Sequence, residues 1–259
     1  MSNPSSAPVN NLPLTAINSR RVGALIVAAG SSQRMGKVNK IFVSLGGKPI
    51  LAWSVDTCQR HDLVQQIVLV LNSKDLERGQ KLREERGWSK VTLCPGGARR
   101  QDSVREGLGK LKNCDWVMIH DGARPFLTRD LIENGLKQAF EIGAAIAAIP
   151  VKDTIKLVNG EGFISGPFQR EKLFVAQTPQ IFKFDIISKA HDVIVANQGD
   201  SEREAKQSQE EEFTDDAALL ERLGYRVKFY MGTYNNIKVT TPEDLALAEI
   251  IANSPSLQP

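Results

Sequence analysis

Ala24-Leu-Ile-Val-Ala-Ala-Gly-Ser-Ser-Gln-Arg-Met-Gly-Lys-Val-Asn-Lys40 joins a short apolar run to a glycine-rich loop that carries the cations Arg34, Lys37 and Lys40 and no carboxylate. An apolar run of this length stopped at once by Gly30 predicts a central parallel strand whose C-terminal end faces a ligand crevice. Gly30, Ser31 and Ser32 let backbone N–H groups come close to a phosphate, and the cations add charge. The stretch therefore reads as an anion-binding loop. It is neither of the two commoner glycine motifs. A P-loop requires glycine where Met35 stands and Ser or Thr where Val38 follows Lys37. The dinucleotide fingerprint requires glycine at Ser32 and an acidic residue some twenty positions on, yet no Asp or Glu precedes Asp56.

Working outward, strand-length apolar runs at Ala24–Ala29, Gln66–Leu71, Lys90–Cys94, Trp116–Ile119, Ala144–Val151 and Tyr225–Tyr230 alternate with helical patterns. The helices are expected at Pro49–Arg60, Lys74–Arg86, Asp102–Leu111, Arg129–Glu141, Lys183–Ala196, Asp215–Leu223 and Pro242–Ile251. This alternation predicts an α/β, Rossmann-like fold, a mostly parallel sheet with helices on both faces. Ile155 to Val175 breaks the pattern, since Asn159-Gly160 and Gly166-Pro167 punctuate strand-like runs with no helix between them. It is expected to form a protruding β-arm. An isolated hairpin is marginal in water, so the arm needs a partner surface, and a second copy of the chain would supply one.

The 259 residues, 41% hydrophobic and 24% charged, suffice for one large core. We expect residues 1–22 to be a disordered tail, 23–253 a single domain with 155–175 as a dimerisation arm, and 254–259 a second tail. The net charge of +3, with no Lys/Arg-rich block, gives no support for nucleic-acid binding. Three cysteines without metal-ligand spacing suggest reduced thiols. The N-terminal segment lacks an apolar signal core and a membrane-length span, so a cytoplasmic address with no membrane contact is expected, a plastid being the alternative. The polar stretch Asp200 to Glu212 reads as a solvated loop.

Further blocks share the first loop's character: Gly96-Gly97 through Ser103-Val104, His120-Asp-Gly-Ala-Arg-Pro125, Pro150-Val-Lys-Asp-Thr154, Ala176-Gln-Thr-Pro-Gln180, Thr214-Asp-Asp216, and Asn236-Ile-Lys-Val-Thr240 followed by Pro242-Glu-Asp-Leu245. Each alone would read as a turn, a helix cap or a surface pair. In this order and spacing, from about Ala24 to Ala252, they resemble the 2-C-methyl-D-erythritol 4-phosphate cytidylyltransferase family. The resemblance implies that a phosphate oxygen of methylerythritol phosphate attacks the α-phosphorus of CTP and releases pyrophosphate. That chemistry needs positioning and cations more than a covalent nucleophile. A cytidylyltransferase for ribitol 5-phosphate would share the cytidine-side motifs and is the alternative. A non-catalytic nucleotide-binding protein conflicts with the intact Arg34, Lys40 and Asp121, and a glycosyltransferase would need a metal-binding acidic motif that is not found here.

By the same resemblance Arg34 and Lys40 are the catalytic cations, with Lys37 the competitor for the second role. Ala28, Ala29, Gly30, Ser31, Ser32, Gly96, Ser103, Asp121, Gly122 and Ala123 hold the nucleotide. Asp121, Arg124, Thr154, Arg170, Thr178, Thr214 and Lys238 hold the acceptor, with Arg124 either on its phosphate or paired to a carboxylate. Arg170 is expected to reach the neighbour's site in a homodimer. Mg²⁺ is expected on the CTP phosphates without a protein cage. The chain departs from the family pattern at Asn39, where proline is usual, and at Gly122, where alanine is usual. The first change raises a question about loop rigidity, and the second is expected to loosen its turn.

Overall fold

The computed structural model describes residues 20–30, 39–196, 213 and 215–254. Seven strands build its main sheet: β1 (Val22–Ala28), β4 (Val64–Leu71), β5 (Val91–Pro95), β6 (Trp116–Asp121), β7 (Ala144–Pro150), β10 (Phe174–Lys183) and β11 (Lys228–Met231). Their order is β11-β7-β10-β6-β1-β4-β5, and every pairing is parallel except the two made by β10. Strand β1 begins at Val22, inside the segment assigned to the tail.

Alternation along each strand sorts the helices between the two faces. Ala24 and Ile26 of β1 point into a core shared with α1 (Ile50–Arg60), α2 (Leu76–Glu85) and α4 (Arg129–Ile142). Leu25 points the other way, toward α3 (Arg100–Leu108), α5 (Phe184–Ala196) and α6 (Asp216–Arg222). Both faces being covered is why the central strands are apolar at successive positions. A smaller cluster seats α7 (Pro242–Asn253) over Leu45 and Ile50, beside the short hairpin of β2 (Ser44–Leu45) and β3 (Lys48–Pro49). Thr241 caps α7 in a box with Asp244, and Pro242 begins it, as the local sequence requires.

Two sequence expectations need correction. Strand β10 is absent from the strands expected from sequence: its first residues, Phe174 and Val175, fall in the expected arm, and the polar Ala176–Gln180 block holds a proline, which cannot donate to a ladder. The structure accommodates Pro179 at a break in register between Ala176 and Gln180, with a cis Thr178–Pro179 peptide. The arm is correspondingly shorter, an antiparallel pair of β8 (Lys156–Val158) and β9 (Ile164–Pro167) followed by a 3-10 turn at Arg170–Lys172. The Asp200–Glu212 stretch lies outside the described residues.

The chain lays β4 and β5 on one side of β1, then returns to place β6 on the other. This reversal opens a crevice at the C-terminal ends of β1 and its neighbours, the place where open α/β sheets bind ligands.

Candidate active site

Three turns meet at that edge. The first leaves β1 through Ala29 and the exposed Gly30. The second follows β5, where the Gly96 N–H donates to the Leu71 carbonyl at 2.8 Å. A Cβ on Gly96 would stand 2.4 Å from the Ala29 Cβ and 2.8 Å from Ser103 Oγ, so glycine is what allows these two turns to touch. Ser103 is buried in the first turn of α3; its Oγ accepts from the Gly97 N–H at 3.1 Å and donates to the Arg99 carbonyl at 3.1 Å. It therefore shapes the Gly96-Gly97 turn. The third turn leaves β6, and the Gly122 N–H donates to the Val27 carbonyl at 2.8 Å. An added Cβ at Gly122 would lie 2.8 Å from that of Ala28, so this turn is tightly packed against β1 and is not loosened by glycine.

Asp121, the last residue of β6, sits among three cations. Lys238 Nζ is 2.9 Å from Oδ2, Arg124 Nε is 3.6 Å from Oδ2, and Arg100 Nε is 3.4 Å from Oδ1. Burial pushes the carboxyl pKa up, but the charges of Lys238, Arg100 and Arg124 outweigh it and hold the group well below the usual carboxylate range. Asp121 is thus an anion at any working pH.

The backbone at Asp121 is held by a short relay. Its N–H donates to Thr178 Oγ1 at 3.0 Å, and Thr178 Oγ1 lies 3.0 Å from His120 Nδ1. His120 Nε2 lies 3.0 Å from the Arg124 carbonyl, which can only accept, so the imidazole proton is on Nε2 and the threonine hydroxyl donates to Nδ1. Burial pushes His120 down to about 4, which keeps the ring neutral. Arg124 in turn donates from Nη1 to the Asn236 carbonyl at 2.7 Å, and Asn236 Nδ2 donates to the Thr178 carbonyl at 2.7 Å. Of its two expected roles, Arg124 shows here the pairing with a carboxylate. The hydroxyl of Thr178 is committed to the protein's own groups.

Arg100 also reaches a second carboxylate: its Nη2 is 2.8 Å from Asp216 Oδ2 at the start of α6. Asp216 is held from below by Gln180, whose Oε1 accepts from the Asp216 N–H at 3.1 Å and whose amide donates to Asp215.

Lys40 opens a 3-10 turn, Lys40–Phe42, anchored by the buried Ile41 and Phe42. The preceding Asn39 has φ −74°, a value within proline's own range, and its Nδ2 donates to Asp75 Oδ2 at 2.7 Å. A side-chain tether here supplements a backbone angle that proline would have fixed. Thr154 and Arg170 lie at the base of the arm, on the same sheet edge, exposed. Arg170 Nη1 is 3.5 Å from the Lys152 carbonyl and borders a cavity of about 430 Å³ with Lys152 and Phe174; among the described residues no hydrogen bond or ion pair ties it to the Asp121 cluster. Ser31, Ser32, Arg34, Lys37 and Thr214 lie outside the described residues.

Arg100, His120, Gln180, Asp216 and Asn236 received no role from sequence, although every one lies inside a quoted block. Their shared signal is a polar side chain in a block at a strand end. Apart from the Arg124 carbonyl four positions from His120, their partners lie 21 to 116 positions away and are brought close only on folding.

Residues 22–254 match the family model described as 2-C-methyl-D-erythritol 4-phosphate cytidylyltransferase. The chain is 45% identical over 232 residues to the enzyme of that name from Dehalococcoides mccartyi, covering 89% of this chain and 96% of the relative. Among solved structures, it is similar to 4-diphosphocytidyl-2C-methyl-D-erythritol synthase from Anaerococcus prevotii, with a TM-score of 0.80, 28% identity, and 93% and 99% of the two chains covered. It is also similar to the 2-C-methyl-D-erythritol 4-phosphate cytidylyltransferase of Thermus thermophilus, with a TM-score of 0.70, 28% identity, and 89% and 98% covered. With its sheet, its glycine turns and its Asp121 cluster all in place, the chain belongs to the 2-C-methyl-D-erythritol 4-phosphate cytidylyltransferase family of nucleotidyltransferase enzymes.

Proposed function

We propose that the chain transfers the cytidylyl group of CTP to 2-C-methyl-D-erythritol 4-phosphate, yielding 4-diphosphocytidyl-2-C-methyl-D-erythritol and pyrophosphate, a step in non-mevalonate isoprenoid precursor synthesis. The observation that carries this reading is the meeting of the Gly30, Gly96-Gly97 and Asp121 turns at one sheet edge in a chain of this family. An oxygen of the acceptor phosphate forms the new bond to the α-phosphorus, the bond to the β-phosphate oxygen breaks, and pyrophosphate leaves with that electron pair. No proton need move. The chain's work is to bring two anions together and stabilise the charge that spreads between them.

Arg34 and Lys40 serve as the catalytic cations on the triphosphate. Ala28, Ala29, Gly30, Ser31, Ser32, Gly96 and Ser103 with the Asp121-Gly122-Ala123 turn receive the nucleoside, the small residues allowing backbone groups to approach it. In this reading Lys238, partly exposed beside Asp121, turns toward the acceptor phosphate, and Asp121 toward the acceptor hydroxyls; the exposure of Lys238 supports it. Arg124 and Thr178 support these groups from behind, while Thr154, Arg170 and Thr214 complete the acceptor side.

Both carboxylates of the described cluster, Asp121 and Asp216, already face cations. With both already engaged, Mg²⁺ would be carried on the nucleotide phosphates. When bound, the ion neutralises charge on the triphosphate.

The arm exposes Leu157, Val158, Phe163 and Ile164, each more than half accessible, and the edge strand β11 exposes Phe229 and Met231. A homodimer would cover such surface and carry Arg170 into the neighbour's site. Among the described residues no helix is long and apolar enough to cross a membrane; a cytoplasmic address belongs to this reading, supported by three free cysteines without disulfide partners.

Pyrophosphate release tests the assignment, with CTP against the other nucleotides and methylerythritol phosphate against ribitol 5-phosphate. CTP with methylerythritol phosphate should be turned over fastest; equal or faster turnover of ribitol phosphate would overthrow it. Subunit exchange tests the arm. Arg170→Ala and Lys40→Ala proteins, each inactive, should regain activity when mixed, since one site of the mixed dimer is intact. Verified mixed dimers without activity would place Arg170 in its own subunit's chemistry or outside it.

A further inference from the structure

Asp121 has more cations than it needs, and they differ in how firmly they are held. The Lys238 side chain is 41% exposed and, apart from Asp121, comes from a loop at the crevice edge. Arg124 offers Asp121 its Nε at 3.6 Å while its Nη1 is committed to the Asn236 carbonyl. Arg100 is only 19% exposed and is fixed at both ends, by Asp121 Oδ1 and by Asp216 Oδ2. Asp216 is itself immobilised by the Gln180 contacts and by the start of α6. Three elements, α3, β6 and α6, are thereby joined through one guanidinium.

We propose that Arg100 is a positioning residue: it is the permanent counter-charge of Asp121, holding Oδ1 so that Lys238 is free to leave Oδ2 for the acceptor phosphate while Oδ2 is presented to an acceptor hydroxyl. The planar fork of arginine suits this bridge, since its Nε and Nη2 point to different carboxylates at once, which a lysine ammonium on a single stem does not reproduce. Without Arg100, Lys238 becomes the main partner of Asp121 and its release toward the acceptor opposes the ion pair. The inference rests on the acceptor side of the function proposed above.

Removing Arg100 alone would strand Asp216 as a buried charge, so the informative variant is the double replacement Arg100→Met with Asp216→Leu, which deletes the buried pair together. Arg100→Lys accompanies it as the conservative change. The double variant should raise the KM for methylerythritol phosphate about tenfold or more, leave the KM for CTP within about threefold, and lower kcat. Arg100→Lys should recover only part of the acceptor KM. Amide exchange at Asp121 and Arg124 should become faster in the double variant, a readout independent of any substrate. Equal changes in both KM values, or a lowered melting temperature with unchanged kinetic constants and unchanged exchange at these amides, would overturn the bridge. If the unmodified protein fails to use methylerythritol phosphate, the functional reading fails, and the exchange result decides on Arg100 by itself.

Discussion

Replacing Thr178 by valine keeps the shape of the side chain and removes one oxygen that two buried groups depend on. The Asp121 N–H loses its acceptor and His120 Nδ1 loses its donor, both at 3.0 Å in the native protein and both without water access, as Thr178 is 4% exposed and His120 fully buried. A buried polar group left without a partner costs roughly 1–3 kcal/mol, so after some relaxation the change should destabilise the fold by about 2–4 kcal/mol. For a domain of this size that is a fall of about 5–15 °C in melting temperature. Thr178→Ser keeps the hydroxyl and loses one methyl, which should cost about 1 kcal/mol. Thermal and denaturant melts of the two variants measure the difference, and pyrophosphate release below the melting range measures the consequence for Asp121. Valine should lower kcat/KM as the Asp121 backbone loosens, and serine should restore most of it. A valine variant within about 0.5 kcal/mol of the native protein would refute the relay. A higher acceptor KM at unchanged stability would show instead that the hydroxyl meets the acceptor directly.

Lys40→Ala should reduce kcat on the order of a hundred- to a thousandfold while CTP binding by calorimetry changes far less, because the charge matters most when negative charge redistributes in the transition state. Near-native kcat in that variant, with a severe loss in Lys37→Ala, would move the catalytic role to Lys37. His120 makes stability depend on pH. Its pKa is about 4 in the folded protein against an ordinary 6.5, so between these values the unfolded chain takes up a proton that the native one does not. Stability from this group is full near pH 7, falls as pH drops from 6.5 to 4 by about 3 kcal/mol, and levels off below. Asp121 adds a separate loss at lower pH, starting near its unfolded value of 3.8. Denaturant unfolding at pH 7 and 4.5 should show a smaller drop in His120→Gln than in the native protein; identical drops would rule out His120 as the source.

Much of this molecule is decided locally and is therefore legible in the chain. Gly30 after the run from Ala24, Thr241 and Pro242 before α7, and the alternation of apolar runs with helical patterns are short-range signals, and they correctly specify an α/β sheet with covered faces. The order of the glycine and Asp121 blocks was enough to recognise the family. Strand β10 was not legible, because Gln177, Thr178 and Pro179 are poor strand formers whose place in the sheet comes from β6 and β7 on either side and from a break in register that tolerates the proline. Nor was the division of labour around Asp121. Sequence places Thr178 and Arg124 with the acceptor, but folding directs the hydroxyl to His120 and Asp121, and the guanidinium to Asn236. Arg100 is the clearest case: the sequence gives it no role, and only the approach of β6 and α6 gives it two carboxylates. Local preference fixes what each segment can be, whereas the partner of a buried charge depends on which distant segments the sheet brings within about 3 Å, and no local pattern encodes that distance.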